Sequence, residues 1–201
     1  MDLNRKEIIK IIAKPRNQRI NFKGLDLKNI DLNNLSFIKI DFNRANLSNC
    51  NLKNVVIENS CDFSNITSEN GNFENINFLN KYQFSYWSVS EMNNVFLKNC
   101  NFKNSFLSPI EIKESTITDC DFSNSDLSGV NFRGTKFKNV NFENANLEGA
   151  CFYDTVLNNV NLNKAKISQV RFDNAGFEKV EYNGELLTKE NCTNYYSQQH
   201  I

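Results

Sequence analysis

The chain has 201 residues, and its 23 basic and 23 acidic side chains give a formal net charge of zero. This balance argues against the bulk positive field of a nucleic-acid-binding protein and against the acidic body of a polyanion mimic. No apolar run is long enough for a transmembrane helix, and charges interrupt the apolar residues of the N-terminal stretch, unlike a signal peptide. The length fits one domain, for which we expect a cytoplasmic location.

The first nineteen residues differ in character from the rest of the chain. Asn4 and Glu7 have the spacing of a helix start, an isoleucine stripe follows, and Pro15 ends the predicted helix. Six basic residues against Asp2 and Glu7 give this segment a net charge of +4. Such a basic amphipathic helix suits a membrane surface or an acidic partner, and it equally suits a cap over the first coil of a repeat structure.

From Asn21 to Tyr182 an apolar residue recurs at every fifth position, with Asn or Asp before it and often Asn or Gly two positions after it. A period of five fits neither a helix nor a strand and predicts a chain that turns a corner in every unit, where Asn and Gly tolerate the backbone angles. Ser68 is the exception among the apolar centres. Ser60 adds one residue to the frame, and the sequence predicts that the loss of one residue between Phe78 and Trp87 restores it.

Four of the six cysteines, Cys50, Cys61, Cys100 and Cys120, fall in the small-residue position of the unit. Their spacing is not that of paired metal ligands, so we predict buried, unpaired thiols.

The units Ala45-Asn46-Leu47-Ser48-Asn49, Cys120-Asp121-Phe122-Ser123-Asn124 and Ala145-Asn146-Leu147-Glu148-Gly149 resemble the A(D/N)LXX motif of the pentapeptide repeat family. The resemblance implies an all-β fold, a right-handed quadrilateral parallel β-helix of about eight coils with four repeats in each. We expect a helical cap over residues 1–19, the β-helix over 20–184, and a short C-terminal cap over 185–201.

With twenty residues in a coil, the position before each apolar centre predicts vertical columns on the surface. One predicted column is almost uniformly amide or acidic, and it comprises Asn21, Asp41, Asp62, Asn101, Asp121, Asn141, Asn161 and Glu181. These side chains suit hydrogen bonds to neighbouring backbone, and they alternatively suit a surface that binds a basic partner.

An adjacent predicted column places Tyr86 one coil below Phe106, with Phe84 nearby and Phe96 on the opposite face. Exposed aromatic residues on a polar wall are typical of an interface. The alternative interpretation is local repair, in which the aromatic residues fill the irregular passage before Trp87.

The sequence contains no phosphate-binding glycine loop, metal-ligand cluster or paired nucleophile and base, so neither catalysis nor a cofactor or metal is expected. The leading hypothesis is a non-catalytic scaffold that binds an unidentified protein partner, without direct nucleic-acid binding or a transmembrane segment. Members of the family that resemble DNA imply the alternative of an inhibitor or protector of a type II topoisomerase, DNA gyrase, of the fluoroquinolone-resistance type. Homodimerisation through the aromatic surface or the coil ends is a further hypothesis.

Overall fold

The computed structural model describes residues 3–13, 19–58, 61–79 and 90–192. The chain forms a β-solenoid of about eight turns, preceded by helix α1 at Arg5–Ile12. The strands are short, and in chain order they are β1 Ile20–Asn21, β2 Ser36–Ile38, β3 Ile40–Asp41, β4 Val56–Glu58, β5 Thr67–Glu69, β6 Asn77–Leu79, β7 Ser90–Glu91, β8 Phe96–Lys98, β9 Ile110–Glu111, β10 Thr116–Thr118, β11 Lys136–Asn141, β12 Val156–Asn161, β13 Gly176–Tyr182 and β14 Glu185–Leu187.

Parallel pairing between successive coils divides the solenoid into four faces. Lys136 pairs with Val156, and stacked amides such as Asn139 and Asn159 are 20 residues apart, which is four five-residue units. We name each face by the outward side chains that precede the buried centres. Face 1 carries Asn21, Asp41, Asp62, Glu91, Glu111, Asn131, Cys151 and Arg171. Face 2 carries Asp26, Asn46, Thr67, Phe96, Thr116, Lys136, Val156 and Gly176. Face 3 carries Asp31, Asn51, Asn72, Asn101, Asp121, Asn141, Asn161 and Glu181. Face 4 carries Ser36, Val56, Asn77, Phe106, Asp126, Asn146 and Lys166.

The core is a set of stacked central side chains, nearly all without solvent exposure. Phe102 and Phe122 stack with their ring centroids 4.7 Å apart, and Phe132 lies 5.0 Å from Phe152. Burial of each such side chain contributes about 1.5–3 kcal/mol relative to exposure. The five-residue period therefore supplies a continuous core along the solenoid axis.

The corners are formed by residues in the left-handed backbone region, mostly asparagines. Asn49 has φ 55°, Asn124 has φ 58° and Gly129 has φ 66°. Asn and Gly adopt this conformation more readily than other residues, so the prediction that they form the corners is confirmed. The corner amides also stack: Asn49 Nδ2 donates to Asn29 Oδ1 over 2.9 Å.

The register of the repeat changes twice, and the sequence predicted only the first change correctly. Ile38 pairs with Glu58 but Asp41 with Asp62, so one residue is added after Glu58, as expected. The predicted deletion before Trp87 is wrong. Asp62 stacks on Glu91, and the amides of Asn70 and Asn99 are 29 residues apart, so the chain between Leu79 and Ser90 is longer, not shorter, than in a regular coil. In the sequence, Trp87 and Tyr82 lie five and ten residues before the buried centre Met92, so their spacing imitates the repeat.

Both ends of the solenoid carry additional elements. The predicted helix start at Asn4 is confirmed, because its side chain and that of Glu7 form a reciprocal capping box. Ile8 is fully buried, and the Arg5 guanidinium donates to the carbonyl oxygens of Asp31 and Asn33. At the other end, β14 pairs antiparallel with β13. In the described part of the chain, no helix has the length and apolar character needed to cross a membrane.

Candidate protein-binding faces

The predicted acidic and amide column is divided between two opposite faces. Asp41 and Asp62 lie on face 1, where they stack with Glu91 and Glu111, whereas Asp121 lies two repeats away on face 3. The physical reason is the additional length between Leu79 and Ser90, which shifts the later repeats by two faces relative to the prediction. The described residues of the two predicted surfaces therefore do not form one surface: Asp41 and Asp62 lie on face 1, and the others lie on face 2 (Phe96), face 3 (Asp121) and face 4 (Phe106).

On face 1 the carboxylates form a row, but several of their oxygens are engaged locally. Asp41 Oδ1 accepts from the backbone amide of Asn43 at 2.9 Å, and Asp62 Oδ1 accepts from that of Ser64 at 2.8 Å. Asp62 Oδ2 also accepts from Asn43 Nδ2 at 3.1 Å. These bonds close the turn after each outward residue, as in the local interpretation of the column.

On face 3 Asp121 stands in a ladder of asparagines. Its Oδ1 accepts from the amide of Ser123 at 2.9 Å and from Asn141 Nδ2 at 3.3 Å, while Oδ2 pairs with Lys103 Nζ at 3.0 Å. Burial works against ionisation, but the hydrogen bonds from Ser123 and the charge of Lys103 outweigh it and lower the pKa of Asp121. The carboxylate is therefore held in its charged form.

The predicted aromatic surface is only partly described by the structure. Phe106 is 42% exposed on face 4 and stacks on Asn77 in the coil below. The expected neighbour Tyr86, like Phe84, lies outside the described residues, and in the described chain the residue that pairs with Phe106 from the coil below is Asn77. Phe96 is 45% exposed on face 2, two repeats from Phe106 and hence on the opposite side of the solenoid.

Face 2 contains functional candidates that the sequence interpretation missed. It is the broadest sheet, in which β5, β8, β10, β11, β12, β13 and β14 are adjacent. Val156 is 47% exposed, and Lys136 lies directly between Val156 and Thr116. The sequence signal that identifies Val156 is an apolar residue in the outward position of the unit, as at Phe96.

All six cysteines are unpaired and buried, so the predicted free thiols are confirmed. Burial away from water raises the pKa of both Cys50 and Cys61 to about 11. Such thiols pack as small apolar groups and are poor nucleophiles. Within the described ranges, no three His, Cys, Asp or Glu side chains are grouped as metal ligands.

Two family models match the chain: a pentapeptide repeat region over residues 90–172 and pentapeptide repeats in eight copies over residues 20–59. The chain belongs to the pentapeptide repeat family. The two matches stop on either side of the irregular stretch that precedes Ser90. A comparison with curated proteins finds no match.

Similar folds occur among solved structures. HetL, a pentapeptide repeat protein involved in heterocyst differentiation regulation from the cyanobacterium Nostoc sp. strain PCC 7120, is 14% identical with a TM-score of 0.41, over 92% of this chain and 100% of that one. A trypsin-treated variant of QnrB1, a plasmid-mediated fluoroquinolone resistance protein, is 15% identical with a TM-score of 0.47, over 83% of this chain and 96% of that one. Rfr23 from the cyanobacterium Cyanothece 51142 is 18% identical with a TM-score of 0.32, over 58% and 90%. At these identities the likeness is one of fold.

Proposed function

We propose that the protein is a non-catalytic scaffold whose flat solenoid faces bind another protein. The observation that carries this proposal is the presence of large, exposed apolar side chains, Phe96, Phe106 and Val156, in outward positions of the repeat that elsewhere hold mostly polar residues. Exposed apolar side chains on a rigid, polar wall suit a protein interface. The six unpaired cysteines support a cytoplasmic location, where thiols stay reduced.

Site-specific photo-crosslinking tests this proposal face by face. A photoreactive phenylalanine derivative replaces one exposed residue on each face: Arg171, Thr116, Lys103 or Lys166. Irradiation in cells of the source organism is expected to give a discrete protein adduct from at least one face and none without light. The scaffold proposal is wrong if all four folded variants remain uncrosslinked at native expression levels.

A second candidate is an inhibitor or protector of a type II topoisomerase, resembling DNA in charge. The row of Asp41, Asp62, Glu91 and Glu111 on face 1 supports it, because a DNA mimic needs ordered negative charge. Against it, Lys113 pairs with Glu111 at 2.7 Å, and the whole chain is neutral. A supercoiling assay with purified gyrase tests it: unchanged supercoiling and unchanged fluoroquinolone sensitivity at excess protein would remove this candidate.

Self-association is a separate proposal with two surfaces. Phe106 supports the aromatic surface, and Leu186, which is 60% exposed on β14, supports the coil end. Sedimentation of wild type, Phe106→Asp and Leu186→Asp separates them, because only the substitution in the true interface dissociates a dimer. A monomeric wild type at high concentration would exclude both surfaces.

A further inference from the structure

We propose that face 2 binds an acidic segment of the partner protein, one that also carries apolar side chains. The binding surface, called here the lysine patch, consists of Phe96, Lys98, Thr116, Lys136, Lys138 and Val156. This proposal rests on the scaffold function and adds the face and the chemistry of the partner.

The lysine patch is continuous because its strands are adjacent and in register. Phe96 pairs with Thr116, Thr116 with Lys136, and Lys136 with Val156. At a strand separation of about 4.8 Å, the two apolar side chains lie about 14 Å apart. A partner segment can therefore contact Phe96 and Val156 together, with Lys136 between them.

Two of the three lysines, Lys136 and Lys138, give the patch a positive charge that no ion pair neutralises within the described part of the chain. The outward side chains of β8, β10 and the first halves of β11 and β12 include no carboxylate. Lys98 pairs with Glu69 at 2.8 Å in the coil below. Lys136 and Lys138 are exposed and, in contrast, form no ion pair with any residue that the structure describes.

Three carboxylates near the patch already have polar partners, which weakens their competition for these two lysines. Asp119 accepts from Asn139 Nδ2 at 2.7 Å, and Glu178 accepts from Asn158 Nδ2. The Oδ2 of Asp154 forms an ion pair with the Nη2 of Arg133 at 3.8 Å. A carboxylate of a partner would meet two adjacent ammonium groups on a partly apolar surface, which strengthens the attraction by excluding water.

The same surroundings favour a protein segment over nucleic acid. A phosphate backbone needs basic side chains along its whole track, whereas the basic side chains here are confined to one short patch that Glu69, Asp119 and Glu178 border. Phe96 and Val156 instead need apolar contacts, which an acidic protein segment with aliphatic or aromatic side chains provides.

Selection from a phage-displayed library of random dodecapeptides tests the chemistry directly. Wild type and the double variant Lys136→Glu/Lys138→Glu are used as parallel targets. Peptides enriched on wild type are expected to be acidic and to contain aromatic or aliphatic residues. Their affinity, measured by fluorescence anisotropy, should fall at least about tenfold in the double variant and should weaken in Phe96→Ser.

Matched controls on face 4 distinguish this surface from general charge and hydrophobicity. Lys166→Glu and Phe106→Ser change the same outward position of the repeat, and both are expected to leave the peptide affinity unchanged. Circular dichroism and thermal unfolding check that all variants fold. Neutral or basic consensus peptides, or equal affinity for the double variant, would overturn the proposal.

A random DNA duplex is the second probe. Binding as tight as that of the peptides, with the same dependence on Lys136 and Lys138, would make nucleic acid the ligand and the proposal wrong. Failure of the lysine-patch proposal is distinguishable from failure of the scaffold proposal. Crosslinking through another face alone refutes the lysine patch and is still consistent with the scaffold function. Crosslinking through no face refutes the scaffold itself.

Discussion

Phe73 and Phe102 stack with ring centroids 4.5 Å apart and ring planes only 4° from parallel. This arrangement depends on Gly71, because a Cβ on that residue would lie 2.5 Å from Cε2 of Phe73 and 2.4 Å from Oγ of Ser68. Ser68 is fully buried at the centre of its repeat, where the coils before and after it have Leu47 and Leu97. The Oγ of Ser68 donates to the carbonyl oxygen of Leu47 over 3.1 Å. Ser68 and Gly71 therefore belong to one packing arrangement, in which the glycine leaves space for the Ser68 hydroxyl and the Phe73 ring.

Gly71→Ala is therefore expected to destabilise the solenoid by about 1–3 kcal/mol through overpacking. Gly176→Ala is the matched control, since the nearest atom to a Cβ there is the Thr155 carbonyl oxygen at 4.0 Å. Chemical denaturation of both variants measures the difference in free energy of unfolding. Equal stability of the two alanine variants would contradict the packing role assigned to Gly71.

The sequence predicted the repeat, the buried centres and the asparagine corners because each is a local property of a five-residue unit. It failed where the unit does not determine the path of the chain. Trp87 lies five residues before Met92, so periodicity alone cannot distinguish a repeat centre from an additional stretch of chain. The partner of Asp62 could be identified only from backbone pairing, and that pairing decides which side chains share a face.

The candidate surface illustrates the same limit. The outward position of Phe96 follows from the repeat, and the sequence interpretation included it. The relation of Phe96 to Lys136 and Val156 also follows from the twenty-residue coil after residue 90, although the sequence interpretation did not include it. The absence of a local ion-pair partner for Lys136 among the described residues is a property of side-chain geometry, which spacing does not supply.

Asp121→Asn tests the contribution of a charge in the asparagine ladder. The pKa of Asp121 is lowered in the folded protein, so its stabilising effect is present above the unfolded pKa of about 4 and is lost as the pH falls through the folded value. At neutral pH we expect a loss of less than about 1 kcal/mol, since the pair with Lys103 is partly exposed. The difference from wild type should vanish in acid.

Urea denaturation at neutral and acidic pH measures this change. Asp126→Asn is the control, because Asp126 occupies the outward position of the next repeat and has no ion-pair partner within the described chain. A difference between wild type and Asp121→Asn that persisted unchanged in acid would show that the carboxylate charge is not its cause.

The buried thiols predict slow chemical modification. With a pKa of about 11, Cys50 and Cys61 are almost entirely protonated at pH 8, whereas an unfolded thiol has a pKa of about 8.5. Brief iodoacetamide treatment followed by peptide mass spectrometry should therefore leave both cysteines unmodified in the folded protein and alkylate them in guanidinium. At a pH between these two pKa values, the two cysteines lose their protons in the unfolded chain but keep them in the folded chain. The free energy of unfolding should therefore decrease as the pH rises. Rapid alkylation of Cys50 at pH 8 without unfolding would contradict its burial.

Two adjacent isoleucines of α1 separate a capping role from a binding role. Ile8 is fully buried against the core, whereas Ile9 is 41% exposed. If the helix covers the first coil, Ile8→Ala should cost about 2–5 kcal/mol of stability through lost burial and a cavity. Ile9→Ala should be nearly neutral in denaturation experiments.

If the helix instead binds a membrane surface, Ile9→Ala should reduce sedimentation with anionic vesicles, and Ile8→Ala should change stability little. Arg5 favours the cap, because it donates to two carbonyl oxygens of the first coil, at 2.6 Å to Asp31 and 2.8 Å to Asn33.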